Sequence, residues 1–541
     1  MSAELLAVLV VAVLVSAVAR HYNLSSPLVL VVTGLAFGLI PGLPHFTLDP
    51  DLVLFVILPP LLWSAGLESS YVALRQNIKP IGLLAVGLPL ATTLAVGLVA
   101  YHVVPDLTLP AALVLGAIVA PPDAVSATAI GRRLGLPRRM MTLLGGESLL
   151  NDATALTAYK VALAAAIGAA QSWGHAAGVF ALAVVGGVAV GAAIGWAIVA
   201  VRAWLDDDLS ESAIGLVAPF VIYLLAEEVH GSGVLAVVVA ALISGRRSTE
   251  AGYATRLQDY AVWRSVQLLL ESFAFLLIGL QLPQVLRELS GVSPRVVLLS
   301  SAAVFVTVLA VRVVWMFASS ALLRIPGRGD APPRRPPATQ TFVVSWAGMR
   351  GVVSLAAAFG VPLTTMSGAP FPGRPYVVFL TFVVVVGTLL LHGLTLPWLI
   401  RRLGVGGSDT QADALAIVGA RTRAADAAET KLDEVMAKKH TAQADSSSGR
   451  TGQSAVYEHA AAVLRHTNDR RRNSAWEQEL GRGSDELGAS PSDAFRKLRL
   501  AMLSAERRAM IDERDAGRID DEVLRDLLHE LDLEEAAFNR G

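Results

Sequence analysis

Long apolar segments separated by short polar stretches fill the first four hundred residues of this chain. A helix needs about 20 apolar residues to cross a bilayer. In lipid the backbone must satisfy its own hydrogen bonds, so segments of this kind can only be helices. The chain is therefore predicted to be an all-α membrane protein. Its thirteen candidate spans lie near residues 4–19, 27–41, 51–67, 80–101, 109–130, 140–169, 175–202, 211–229, 232–245, 263–283, 292–323, 340–364 and 375–400.

The charged residues divide the chain into two regions. Only 16% of all residues are charged, but residues 411–541 contain 45 of the 89 charged side chains, whereas soluble domains carry about 25% charged residues. We therefore predict a transmembrane domain over residues 1–403 and a cytoplasmic helical region over residues 404–541. In the latter, apolar residues recur at helical spacing, namely Val523, Leu524, Leu527, Leu528 and Leu531.

Composition also limits the chemistry. There is no cysteine, which excludes disulfides and thiolate metal sites. No basic stripe indicates nucleic-acid binding, and no motif indicates an enzyme or a nucleotide cofactor. Residues 4–19 lack the basic start of a signal peptide, so they are interpreted as a retained first span.

The arginines predict the orientation. An odd number of spans places the two termini on opposite sides of the membrane, and cytoplasmic loops carry an excess of Lys and Arg. With the carboxyl terminus in the cytoplasm, the inner loops hold 17 of these cations, and the outer loops hold three, which are Arg287, Arg295 and Arg374. The amino terminus is then outside.

Two carboxylates, Glu147 and Asp152, lie within the apolar span 140–169. Charges at membrane depth are costly and mark functional sites by default. Residues four apart share a helix face, so Glu147 lies above Asn151, and Ser148 above Asp152. Oxygen groups of this kind suit hard cations. The alternative is that these are polar groups that only pack helices together.

A proline pair interrupts the span 109–130. Pro121 and Pro122 remove backbone donors and precede Asp123. Transporters place ion sites at broken helices of this kind. The simpler interpretation is a proline kink in which Asp123 caps the next helix.

A buried cation is predicted in the span 340–364. Arg350 cannot lose its proton and needs an anion, for which Glu147, Asp123 and Asp152 are the candidates. Glu271 and Arg312 are further charges within apolar segments. Lys160 is interpreted as snorkelling to the membrane surface.

Four motifs together resemble the monovalent cation:proton antiporter family. They are Glu147-Ser148-Leu149-Leu150-Asn151-Asp152, Pro121-Pro122-Asp123-Ala124-Val125, Leu58-Pro59-Pro60-Leu61-Leu62-Trp63-Ser64-Ala65-Gly66 and Trp346-Ala347-Gly348-Met349-Arg350-Gly351. The similarity covers residues 4–400 and is to the Asn-Asp branch, which includes bacterial NhaP-type and animal NHE-type exchangers.

The resemblance implies a fold of thirteen transmembrane helices in inverted repeats. Two unwound helices cross near the ion site, and a core domain lies beside dimerisation helices, so a homodimer is expected.

The resemblance also implies roles for particular residues. Asp152 matches the aspartate that binds cation and proton, Asp123 the acid of the crossing motif, and Ser148 a hydroxyl ligand. These three would hold the metal ion. Glu147 and Arg350 match a supporting buried ion pair, and Asn151 marks the branch.

Two positions depart from the pattern. Pro122 stands where many relatives have Thr, so only its carbonyl could bind the ion. Ser64 stands where many have a carboxylate, which leaves the ion preference open.

The function expected from the resemblance is electroneutral exchange of Na⁺ for H⁺ at the plasma membrane, with K⁺ or Li⁺ as other possible cations. Such exchange serves pH and sodium homeostasis and needs no bound cofactor. One alternative is an electrogenic exchanger. Another, from a different class, is a membrane sensor that signals through its tail when the core binds cations.

Overall fold

Helices form nearly all of the regular structure in a computed structural model of the chain. The structure describes residues 2–22, 24–40, 50–168, 173–205, 207–247, 253–289, 293–322, 337–405, 410–444, 457–469, 491–515, 528 and 531–535. Within these ranges there is no β-strand, and the pairing of Thr364 with Pro370 is an isolated bridge.

The helices of the amino-terminal region are numbered α1 to α17 in chain order. Their bounds are α1 Ser2–His21, α2 Ser26–Gly38, α3 Pro50–Glu68, α4 Tyr71–Gln76, α5 Ile78–Gly82 (continued by a π-helical turn, Leu83–Gly87), α6 Leu88–Val103, α7 Leu109–Val119, α8 Ala124–Arg133, α9 Arg138–Ala166, α10 Trp173–Leu205, α11 Asp208–Glu228, α12 Gly233–Arg247, α13 Tyr253–Glu288, α14 Pro294–Leu322, α15 Ala338–Trp346, α16 Val352–Phe359 and α17 Arg374–Leu403.

Every predicted span coincides with one helix or with a set of consecutive helices. Within the described residues, six segments are long and apolar enough to cross a membrane by length and composition, which makes this a multi-pass membrane protein. They are Ile78–Val103, Gly178–Leu205, Leu209–Glu228, Thr255–Arg287, Pro294–Ala321 and Arg374–Leu403.

Two of the predicted spans are broken in the middle. Residues 120–123 separate α7 from α8, and residues 347–351 separate α15 from α16. Pro121 and Pro122 explain the first break, because neither supplies a backbone N–H. The second contains Gly348 and Gly351, which favour irregular backbone. Each break leaves carbonyl groups at a helix end without an intrahelical donor.

The helices around the breaks are placed by close contacts between small residues. Gly34 of α2 and Gly279 of α13 meet so tightly that a Cβ atom added at either would collide with the backbone of the other helix. Small residues let membrane helices approach in this way. Helix α14 is fixed differently, since Nε1 of Trp315 donates to the carbonyl of Leu83 in the π-helical turn at 3.2 Å.

The chain separates into two compact units, Met1–Gly407 and Ser408–Gly541. The second unit contains α18 (Thr410–Ala444), α19 (457–469) and α20 (Pro491–Asp515). In this unit Arg499 forms ion pairs with Glu506 and Glu534, each at 2.8 Å. Of the apolar stripe predicted in the tail, Val523, Leu524 and Leu527 lie outside the described residues.

Candidate functional site

A cavity of about 60 Å³ lies where both helix breaks meet α9. Water needs about 10–15 Å³ of such space, so the cavity is large enough for a small cation with a few water molecules. Six elements line it: α3, the first break, α9, α13, the last residue of the second break and the start of α16. The lining residues are Leu61, Pro121, Pro122, Asp123, Ser148, Asp152, Glu271, Phe275, Gly351, Val352, Val353 and Ser354.

Asp152 faces this cavity from the middle of α9. It is half-buried, and no hydrogen bond or ion pair to its carboxylate occurs within the part of the chain that the structure describes. Ser148 lines the cavity one turn earlier on the same helix, and Pro122 and Asp123 line it from the first break. The structure therefore brings four of the predicted site residues to one cavity.

Asn151, the neighbour of Asp152, instead holds the first break in place. Its Nδ2 donates to the carbonyl of Pro122 at 3.0 Å. A carbonyl freed by a helix break needs a donor of this kind when it is buried. Asn151 is itself fully buried, and its Oδ1 has no hydrogen-bond partner among the described residues.

The two breaks are in direct contact with each other. The backbone N–H of Asp123 donates to the carbonyl of Met349 at 2.7 Å. Gly351 permits the approach, because a Cβ atom there would lie 2.6 Å from Oδ2 of Asp123. Asp123 directly precedes α8, where the helix dipole favours a negative charge.

The predicted ion pair between Glu147 and Arg350 is wrong. The structure pairs Glu147 with Arg312 of α14, through Nη1 to Oε1 at 2.5 Å and Nη2 to Oε2 at 3.0 Å. Both side chains are 1% exposed. The reason is geometric: Glu147 lies four residues, or one turn, before Asn151 on α9, and at this level of the helix its carboxylate reaches the guanidinium of Arg312 on α14.

Arg350 has a different role. Its Nε donates to the carbonyl of Val119 at 3.1 Å, and its Nη1 to the carbonyl of Gly348 at 2.5 Å. Val119 is the last residue of α7, so the guanidinium satisfies a carbonyl that the first break leaves open. The backbone N–H of Arg350 donates to Oγ1 of Thr388 on α17 at 3.1 Å.

Arg312 serves the second break in the same way. Its Nε donates to the carbonyl of Ser345 at 2.9 Å, and Nη2 to that of Val344 at 3.3 Å. Both carbonyls belong to the end of α15. The carbonyl end of α7 and that of α15 therefore each bind a buried guanidinium. The positive charge also stabilises the negative end of each helix dipole.

Sequence reasoning assigned no site role to three of these residues. Glu271 and Ser354 line the cavity, and Arg312 is the partner of Glu147. Glu271 and Arg312 could be found in the sequence as charges within apolar segments, whereas nothing in the sequence indicates a site role for a serine such as Ser354. Lys160, interpreted as snorkelling, has an exposed side chain, and its Nζ donates to Oε2 of Glu227 on α11 at 2.6 Å.

The arrangement offers oxygen ligands that suit a small cation and a carboxylate that can also take a proton. Among the described residues no three His, Cys, Asp or Glu side chains converge as in a structural metal centre. The cavity is lined instead by the carboxylate of Asp152, which has no partner among the described residues, by the hydroxyl of Ser148 and by Pro122, whose carbonyl lies in the first helix break. A loosely enclosed oxygen site of this kind permits release of the ion as well as binding.

The fold and the cavity define a membrane protein with a buried, carboxylate-lined cavity between two broken helices. The description "Sodium/hydrogen exchanger, transmembrane" belongs to a family profile that matches residues 7–402. The chain belongs to this family, and it is a monovalent cation:proton antiporter. The family consists of transporters, which move monovalent cations and protons across membranes.

Relatives with similar sequences support the assignment. An uncharacterized Na⁺/H⁺ exchanger of Mycobacterium tuberculosis is 35% identical over 97% of this chain and 94% of its own length. A sodium, potassium, lithium and rubidium/H⁺ antiporter of Bacillus subtilis is 31% identical, over 69% of this chain and 57% of its own length. The fold is similar to that of the sodium proton antiporter MjNhaP1 of Methanocaldococcus jannaschii, with a TM-score of 0.59, 18% identity, and coverage of 74% of this chain and 98% of that one.

Proposed function

We propose that this protein exchanges Na⁺ for H⁺ electroneutrally, one for one, with Asp152 as the carboxylate that binds either ion. The observation that carries the proposal is the carboxylate of Asp152, which faces the cavity and has no partner among the described residues. Ser148 and the carbonyl of Pro122 supply further oxygen atoms, and Asp123 adds negative charge nearby.

Competition at one carboxylate accounts for the coupling. A bound cation favours the ionised carboxylate, and a proton removes the charge that holds the cation. If only the occupied site crosses between the two sides, every cation moved one way is matched by a proton moved the other way. Asn151 is uncharged and hydrogen-bonds a carbonyl, so it adds no second proton to the cycle.

Alternating access requires a rigid site that moves as a unit. The two buried arginines and Asn151 hold the helix breaks together through backbone carbonyls. The proposed architecture has thirteen transmembrane helices in inverted repeats, with the two unwound helices crossing at the site. In this architecture residues 1–403 form the core and dimerisation helices of a homodimer, and residues 404–541 form a cytoplasmic tail.

The proposal also covers the membrane in which the protein lies, its orientation there and the cations that it transports. The positive-inside pattern supports a plasma-membrane protein with its amino terminus outside and its carboxyl terminus in the cytoplasm. Because a similar protein of Bacillus subtilis is named for sodium, potassium, lithium and rubidium, K⁺ and Li⁺ are further candidate cations.

One observation favours an electrogenic exchanger as a second candidate. The cavity is also lined by the carboxylates of Asp123 and Glu271, and a second titrating acid would carry a second proton. A sensor that signals through its tail is a third candidate, and it would move no ions at all.

Reconstitution into proteoliposomes separates these candidates. A pH dye inside the vesicles should report exchange when Na⁺ is added, at a rate that does not change when K⁺ and valinomycin set the membrane potential. A rate that follows the potential would favour the electrogenic candidate. Absence of exchange when Na⁺, K⁺ or Li⁺ is added would favour the sensor.

A further inference from the structure

Glu271 is the residue in the cavity that the proposed exchange cycle leaves unused. It lies on α13, whereas Asp152 and Ser148 lie on α9. Within the described residues no cation forms an ion pair with its carboxylate. Its one hydrogen bond there comes from Nε2 of Gln267, one turn earlier, which donates to Oε1 at 2.7 Å. Gln267 thereby orients an acid that faces the cavity.

Ser354 provides an independent indication that the cavity takes a ligand. This residue of α16 is 1% exposed and lines the same cavity, yet its Oγ has no hydrogen-bond partner among the described residues. A buried hydroxyl without a partner is unfavourable, and a bound cation or its water shell would supply the missing interaction.

The cavity acids do not all meet at one point. No group of three acidic or histidine side chains in the described part of the chain is close enough to hold one metal ion. Glu271 therefore does not add a ligand to a position already shared by Asp123 and Asp152. The volume of the cavity, about 60 Å³, nevertheless leaves space for a second position.

We propose that Glu271 and Ser354 form a second binding position for the monovalent cation, next to that of Asp152 and on its route through the cavity. The inference rests on the proposed exchange function. Glu271 attracts the cation into the cavity and passes it to Asp152, so it sets the affinity for the cation rather than the coupling to protons. Recognition is by charge and oxygen ligands, as expected for Na⁺, K⁺ or Li⁺.

The first experiment measures exchange kinetics in proteoliposomes at alkaline pH, where protons compete least. Glu271→Gln should raise the KM for Na⁺ roughly tenfold, because one full charge is lost at short range in a poorly solvated site, while kcat stays within about twofold. Glu271→Asp should keep most of the affinity, and Ser354→Ala should raise KM by less than Glu271→Gln does. The matched control is Glu228→Gln, since Glu228 is exposed at the end of α11.

The second experiment measures binding without transport. Equilibrium binding of radioactive Na⁺ to purified Asp152→Asn protein should retain a weaker site, which the added change Glu271→Gln should abolish. An unchanged KM in Glu271→Gln, or equal binding by the single and double variants, would overturn the inference. Failure of the wild-type protein to exchange ions would instead refute the proposed function, and the binding comparison would still test Glu271.

Discussion

Asp152 and Asp106 are both aspartates of the membrane region, but their surroundings differ. Asp106 is exposed in a turn with φ +58°, whereas Asp152 faces the cavity. We expect Asp152→Asn to abolish exchange in proteoliposomes without lowering the melting temperature, because no described group pairs with the lost charge. Asp106→Asn is the matched control, since asparagine also tolerates positive φ, and it should exchange normally. Wild-type rates in Asp152→Asn would remove this residue from the site.

The buried ion pair of Glu147 and Arg312, unlike Asp152, is expected to be needed for stability. Removing one partner of a buried ion pair leaves an uncompensated charge and costs about 3–5 kcal/mol. Glu147→Gln and Arg312→Gln should each lower the melting temperature in detergent. The double variant should be less destabilised than the sum of the single variants, because neither charge is then left alone.

A double variant that includes Arg350 tests whether Arg312 is the partner of Glu147. Glu147→Gln combined with Arg350→Gln should show weaker coupling than Glu147→Gln combined with Arg312→Gln, because the carboxylate contacts Arg312 and not Arg350. Strong coupling of Glu147 to Arg350, with additivity between Glu147 and Arg312, would contradict the structure.

At the scale of elements, the contact between the two helix breaks depends on Gly351. An added Cβ atom would lie 2.6 Å from Oδ2 of Asp123, so Gly351→Ala must push the breaks apart. We expect this variant to fold but to exchange at least tenfold more slowly, which corresponds to about 1.4 kcal/mol.

Gly145 of α9 provides the control for this change. A Cβ atom there meets no other atom within 4 Å, so Gly145→Ala should keep its exchange rate and gain about 1 kcal/mol of helix stability. Equal rates in both glycine variants would show that the contact between the breaks is not needed for transport.

At the scale of the whole molecule, the single titrating carboxylate predicts the dependence of transport on pH. Below the pKa of Asp152, the KM for Na⁺ should rise about tenfold for each unit of pH, since each unit adds about 1.4 kcal/mol of proton binding. At high pH the KM should level off while the rate falls, because the return step lacks protons. Exchange rates measured over a series of pH values and Na⁺ concentrations test this directly. A KM independent of pH would refute competition at one carboxylate.

The division of the chain at Gly407 leads to an expectation for the tail. Because Met1–Gly407 is a compact unit by itself, a truncation after Gly407 should still insert into membranes and exchange ions, with a shift in the pH of half-maximal activity. Complete loss of exchange by a truncated protein that remains folded in detergent would show that the tail belongs to the transport machinery.

The sequence by itself determined the helices, the position of the first break and the membrane class. Apolar segments in lipid have few alternatives to a helix. Two adjacent prolines favour a break because they remove two backbone donors, although Pro59 and Pro60 leave α3 unbroken. It also indicated Asp152, Ser148, Pro122 and Asp123, because these residues are close along the chain or follow the break directly.

Only the tertiary structure decided which charges meet. Glu147 and Arg312 are 165 positions apart, and Arg350 reaches a carbonyl 231 positions away. An intramembrane arginine shows in the sequence that it needs negative partners, but an acid and the open carbonyls of a broken helix satisfy that need equally well. The packing of α9, α14 and the two breaks makes the choice, and it also brings Glu271 to the cavity.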